Sequence, residues 1–125
     1  MACFIVTKGP DEQVGKCYQL ARRTLAAGRH PAREIQLLDP KVSRKHFLVK
    51  MAGGHHVIIE TQPKNPLWVN GVQVGEKQLE DGDQIEVGDT LLIYYVSDRA
   101  NQADALLEHR DADRQNRENQ TLTGG

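Results

Sequence analysis

Short β-prone runs alternate with turn residues at close spacing through the first 97 residues, and this rhythm constrains the chain more than any other feature. Cys3–Thr7 runs into the turn Lys8-Gly9-Pro10-Asp11. Lys16–Leu20, Arg23–Ala27 and Ile35–Leu38 read as short strands, the last ending at Asp39-Pro40, where the proline biases Asp39 away from helical backbone and marks a loop. Ala21–Ala26 could form one helical turn, but it has no apolar stripe. In Lys45–Met51, Phe47, Val49 and Met51 share one face; after Gly53-Gly54, Val57 and Ile59 share a face of His56–Thr61. Leu67–Val69 and Val72–Val74 flank Asn70-Gly71, the strongest short-range hairpin signal, because both central positions of a type I′ turn need positive φ. Asp81-Gly82-Asp83 and Gly88-Asp89 bracket Gln84–Val87, and Thr90–Val96 is the last and most apolar run. About ten such strands predict an all-β domain over 1–97, a β-sandwich of two twisted, mostly antiparallel sheets packed face to face.

The pattern stops after Val96. Ala103-Asp104-Ala105-Leu106-Leu107 can start a short helix near 102–110, docking through Leu106 and Leu107, but Glu108–Gln120 has no apolar side chain larger than alanine. Such a stretch buries too little surface to offset its ordering entropy, so 98–125 is expected to be a polar, largely disordered tail. The tail holds four basic and six acidic side chains, leaving 12 basic and 11 acidic in residues 1–97. With a net charge of -1 for the whole chain, no global field favours nucleic acid or an anionic membrane. No apolar run approaches the roughly 20 residues of a membrane span, and Cys3–Thr7 is too short for a signal-peptide core. A cytoplasmic location is therefore expected. Cys3 and Cys17 lie in strands of one hairpin; two cysteines at this spacing match no zinc motif, and they read as buried thiols.

A loop-built phosphate site needs a planar arginine fork, a hydroxyl, and an amide that can both donate and accept. Here Arg29 follows Gly28, Ser43-Arg44 follows Asp39-Pro40, and Lys64-Asn65 sits in a proline-flanked loop, each between strands where binding loops belong. Basic residues are dense around them: Arg33, Lys41 and Lys45, with His30 and His46.

In these residues the chain resembles the forkhead-associated (FHA) domain family. The family's pieces occur in order as Gly28-Arg29, Ile35-Gln36-Leu37, Asp39-Pro40-Lys41-Val42-Ser43-Arg44-Lys45-His46, Asn65, Val69-Asn70-Gly71 and Leu79-Glu80-Asp81-Gly82-Asp83-Gln84-Ile85-Glu86-Val87-Gly88. The resemblance runs from about Gly28 to Tyr95. It implies an eleven-stranded β-sandwich that binds phosphothreonine peptides through loops at one end. It further implies that Arg29 and Ser43 bind the phosphate, that Arg44 makes a second contact to phosphate or peptide, and that Asn65 holds the peptide backbone. Gly28 and His46 would support the site from behind, and Asn70 and Gly71 would shape a neighbouring turn.

The chain departs from the family at Pro63-Lys64-Asn65-Pro66-Leu67, where the usual loop reads Ser-Thr-Asn-Gly-Thr. Lys64 replaces a hydroxyl with a flexible point charge, and Pro66 restricts Asn65 toward extended backbone. The resemblance therefore leaves the peptide preference open.

Asp39, Ser43 and His46 also invite a hydrolase reading. If Ser43 to His46 is extended, their odd separation sends the side chains to opposite faces, and no Gly-x-Ser-x-Gly elbow is present. The same divergence argues against a metal at His55-His56, and no glycine-rich nucleotide loop occurs. No enzyme activity, cofactor or metal is expected. The expected function is a phosphothreonine-peptide-binding module, an adaptor or regulator in Ser/Thr kinase signalling. Its partner would be a phosphothreonine-containing protein, a Ser/Thr kinase or its substrate. The alternative is a phospho-independent interaction scaffold on the same fold. Thr121 and Thr123 in the tail offer phosphorylation sites that could occupy the groove.

Overall fold

The computed structural model describes residues 1–61 and 63–97; the tail expected over 98–125, with its short helix and its two threonines, lies outside the described residues. Eleven strands form two sheets: β1 (Cys3–Lys8), β2 (Cys17–Gln19), β3 (Leu25–Gly28), β4 (Ile35–Gln36), β5 (Phe47–Ala52), β6 (His55–Glu60), β7 (Leu67–Val69), β8 (Val72–Gln73), β9 (Glu76–Gln78), β10 (Gln84–Val87) and β11 (Thr90–Tyr95). One sheet has six strands in the order β2-β1-β11-β10-β7-β8, and the other five in the order β4-β3-β5-β6-β9. The recorded pairs are antiparallel except β3 with β4, which run parallel. The expected two-sheet sandwich is what forms.

The core lies between the sheets. Phe4 and Val6 of β1, Leu92 and Tyr94 of β11, and Ile85 and Val87 of β10 face Ala27, Phe47, Val49 and Ile58 of the opposite sheet. Phe4 meets Phe47 and Tyr94 edge-on, with ring centroids 6.3 and 5.9 Å apart. Edge-to-face packing sets the positive rim of one ring against the negative face of the next.

Several local expectations shift. β9 had no sequence signal: Glu76-Lys77-Gln78 carries no apolar side chain and joins the sheet through its backbone, pairing with β6. β5 starts at Phe47, so Lys45 and His46 belong to the preceding loop. In β6 the core side is His56 and Ile58, and Val57 and Ile59 share the opposite face as expected. A 3-10 turn at Asp11–Gln13, also unforeseen, buries Gln13. Its side-chain amide donates to the Gln36 carbonyl at 2.9 Å and accepts from the Leu38 N–H at 2.8 Å. Cys3 and Cys17 lie on adjacent strands but are offset, Cys3 opposite Gln19 and Cys17 opposite Ile5.

The Asn70-Gly71 turn forms as the sequence requires, with φ of 53° and 81°. Asn70 then ties the next loop: its amide donates to Asp83 and its carbonyl accepts from the Gln84 N–H, both at 2.9 Å. No helix among the described residues is long and apolar enough to cross a membrane.

Candidate functional site

Three loops meet at one end of the sandwich: β3–β4, β4–β5 and β6–β7. They enclose an open groove of about 420 Å³ lined by Arg29, Lys41, Ser43, Arg44, Lys64 and Asn65, with Pro40 and Val42. All five residues expected to contact a phosphopeptide are brought together here. Lys41, left out of that set, joins them. Among the described residues no carboxylate lines the groove.

Gly28 makes the approach of the first two loops possible. A Cβ at this buried position would fall on the Arg44 carbonyl oxygen and within 2.8 Å of that of Ser43. With hydrogen in its place, the Arg29 N–H reaches the Ser43 carbonyl at 2.9 Å and the Leu37 N–H reaches the Gly28 carbonyl at 2.8 Å. The Arg29 side chain then lies along the β4–β5 loop, its Nε donating to the Val42 carbonyl at 3.0 Å. Among the described residues its terminal nitrogens have no partner, so the anchored guanidinium presents its outer donors to the groove.

Ser43 accepts the Lys64 N–H on Oγ at 3.2 Å and keeps its own proton to donate. Asn65 donates from Nδ2 to the Lys41 carbonyl at 2.7 Å, tying the β6–β7 loop to the β4–β5 loop. Arg44 and Lys64 are exposed and have no ion pair among the described residues. Lys41 pairs with Asp89 at 3.3 Å, but both side chains are more than 60% exposed, so screening leaves that pair weak.

His46 sits behind the groove, fully buried. Its Nδ1 accepts the Ser43 N–H at 3.0 Å, which places the ring proton on Nε2. Nε2 lies toward the Asn65 and Pro66 carbonyls without reaching ordinary hydrogen-bond geometry. Burial pushes the imidazole below its usual pKa, and those carbonyls only partly offset this. The segment from Ser43 to His46 is bent, not extended, so the divergence argued from an extended strand does not apply. The outcome for a nucleophile is the same, because His46 holds the serine's backbone N–H and not its hydroxyl.

Asp39 is a second buttress, a role that its place in the sequence does not reveal. Its carboxylate, 2% exposed, accepts the Lys41 N–H at 2.9 Å, the Asp89 N–H at 2.7 Å and the Thr90 hydroxyl at 2.9 Å. It thus ties the start of the β4–β5 loop to the β10–β11 turn. Asn70 and Gly71 are at the other end of β7 from Asn65 and do not line the groove. A second recess of about 430 Å³ lies elsewhere, lined by Met1, Leu20, Met51, His56, Tyr94 and others, with Arg22 as its one arginine. His55 is exposed while His56 is buried, its Nδ1 3.0 Å from the Tyr94 hydroxyl, so the two histidines face opposite ways.

The groove concentrates four cations, a hydroxyl and an amide on loops cross-tied by their own backbones. Such a surface suits a dianion carried on an extended chain. The FHA domain family model matches residues 25–88. The glycogen accumulation regulator GarA of Mycolicibacterium smegmatis is 30% identical over 99 residues, 79% of this chain and 61% of that protein. The oxoglutarate dehydrogenase inhibitor of Corynebacterium jeikeium is 32% identical over 93 residues, 74% of this chain and 63% of that protein. The chain thus spans a little over three-fifths of the length of these relatives. An FHA domain solved in a study of phosphothreonine-dependent FHA domain interactions superposes with a TM-score of 0.70 at 28% identity, covering 78% of this chain and 98% of that one. The FHA domain of FhaA, solved in complex with the intracellular domain of another protein, gives 0.68 at 29%, covering 75% and 99%.

Proposed function

This chain belongs to the FHA domain family, and on that premise we propose that it is a phosphothreonine-peptide reader that regulates its partner by binding, not by catalysis. The observation that carries the proposal is the groove itself. Arg29 is held by Nε with its outer donors unspent, Ser43 keeps its hydroxyl proton, and Arg44 and Lys64 stand at the rim without counter-charge. A phosphothreonine brings about -1.5 to -2 charge and three acceptor oxygens to such a surface.

Arg29 and Ser43 take the phosphate in this reading. Arg44 and Lys64 add charge from either side, and Asn65 meets the peptide backbone. The partner is a phosphothreonine-containing protein, a Ser/Thr kinase or its substrate. The relatives are named as regulators, one of glycogen accumulation and one an inhibitor of oxoglutarate dehydrogenase, which supports a regulatory role for this chain.

The test is titration of an oriented phosphothreonine peptide library, with phosphoserine and unphosphorylated pools, against wild type and Arg29→Ala. A hydrogen bond to a charged group contributes about 1.5–3 kcal/mol, so losing Arg29 should weaken binding more than tenfold. Binding should also require the phosphate and weaken with salt. Binding that is indifferent to phosphate and to Arg29→Ala would overturn the proposal in favour of a phospho-independent scaffold.

A further inference from the structure

The strands of a two-sheet sandwich ordinarily alternate, apolar inward and polar outward. β10 obeys this: Ile85 and Val87 are buried while Gln84 and Glu86 are exposed. β1 and β11 do not. Phe4 and Val6 face the core between the sheets, yet Cys3 and Ile5, on the opposite face of the same strand, are 0% and 2% exposed. In β11, Ile93 pairs with Ile5 on that outer face and is 4% exposed. Cys3 and Ile5 form an apolar cluster separate from the main core, with Cys17 and Tyr95 packed against it. Near-continuous apolar strands buried on both sides mark a sheet covered on both faces.

The patch is confined to β2, β1 and β11, three adjacent strands spanning about 10 Å. Tyr95 packs against the cluster and is also the last residue of β11, so the chain leaves the sheet at the edge of this patch. Twenty-eight residues follow Ser97. Their larger apolar side chains are Leu106, Leu107 and Leu122, and Ala103, Leu106 and Leu107 recur at the spacing that shares one helix face. Leu106 comes eleven residues after Tyr95, about 16 Å along a helix, which is enough to reach across the patch.

We propose that the outer face of the six-stranded sheet, at β2-β1-β11, is the docking surface of this chain's own C-terminal segment, which lays Ala103, Leu106 and Leu107 on Ile5, Ile93 and Cys3. Covalent attachment at Tyr95 gives the segment a local concentration of about millimolar order, which favours it over a second copy of the chain. The surface lies away from the groove: β11 begins at Thr90, beside the Asp39 buttress, and reaches the patch at its other end.

The Cys3 thiol reports the contact directly. In the full chain, Leu106→Asp with Leu107→Asp should speed alkylation of Cys3 by iodoacetamide at least tenfold, read by peptide mass mapping, with far-ultraviolet dichroism and Trp68 fluorescence unchanged. If that variant fails to fold, Leu106→Ala with Leu107→Ala should give a smaller acceleration, severalfold. An unchanged Cys3 rate in the folded variant overturns the proposal. So does protection in the wild type that disappears on dilution, which would make a second copy the occupant.

Discussion

Asp39 and Thr90 are separated by 51 positions, and their side chains meet at 2.9 Å where the β4–β5 loop begins. The same carboxylate oxygen takes the Asp89 N–H, and its mate takes the Lys41 N–H. Asp39→Ala strips three donors of their acceptor inside a buried site. Each orphaned donor costs about 1–3 kcal/mol, so the variant should lose several kcal/mol of stability in urea denaturation. Asp39→Asn keeps one oxygen and should lose less. In the folded fraction, affinity for a phosphothreonine peptide should also fall, because Lys41 to Ser43 lose their anchor.

Gly28→Ala tests the close approach of the groove's first two loops. The added methyl meets backbone carbonyls of Ser43 and Arg44, which cannot swing aside as a side chain would. Overpacking of this kind costs roughly 1–3 kcal/mol. A lowered melting temperature is expected, together with weaker phosphopeptide binding. Gly71→Ala is the control: nothing stands within 4 Å of its Cβ, so only the strain of its positive φ is added.

Two buried histidines give the fold a defined pH response. Burial lowers the pKa of both His46 and His56, with the Asn65 and Pro66 carbonyls partly opposing it for His46 and the Ala21 carbonyl for His56. The unfolded chain therefore takes up protons that the folded chain refuses. Stability is fully present above the unfolded value of 6.5 and declines as pH falls below it. The urea midpoint should drop between pH 7.5 and 5.5. Asp83 acts in a lower window: burial works against its charge, but the Glu80 N–H, Asn70 and Lys77 outweigh this and hold its pKa below 3.8. Its contribution is lost only as pH falls through that depressed value. A midpoint unchanged from pH 7.5 to 5.5 would contradict the histidine account.

Lys64 stands where the family usually has a hydroxyl, and its side chain has no ion pair among the described residues. If it contributes charge to a bound phosphate, Lys64→Ala should weaken binding severalfold and flatten the dependence of affinity on salt. Lys64→Thr should restore affinity with less salt dependence. Equal salt slopes for wild type and Lys64→Ala would remove Lys64 from the site.

What the sequence made legible follows from what kind of signal each element needs. Asn70-Gly71 could be read directly, because few residue pairs tolerate two positive φ values in succession. The groove residues were legible because their order and spacing carried them, and the structure gathers them. β9 was not legible, since Glu76-Lys77-Gln78 is held by backbone pairing and backbone leaves no mark on side-chain pattern. Parity in β6 was ambiguous because Val57-Ile58-Ile59 is apolar throughout, and only the pairing of Ile58 with Val49 decides which face is core. Asp39 looked like a loop carboxylate because two of its partners, Asp89 and Thr90, lie far away in sequence.

The bond from Asn65 to the Lys41 carbonyl has a consequence for how a ligand is received. Together with Lys64 on Ser43 Oγ and Ser43 on His46, it ties the two loops flanking the groove to each other. A peptide would meet walls already set and would not have to order them, so little of its binding free energy is spent on the protein. Encounter would be governed by the charge at the rim, and discrimination among sequences would fall to how long each one stays.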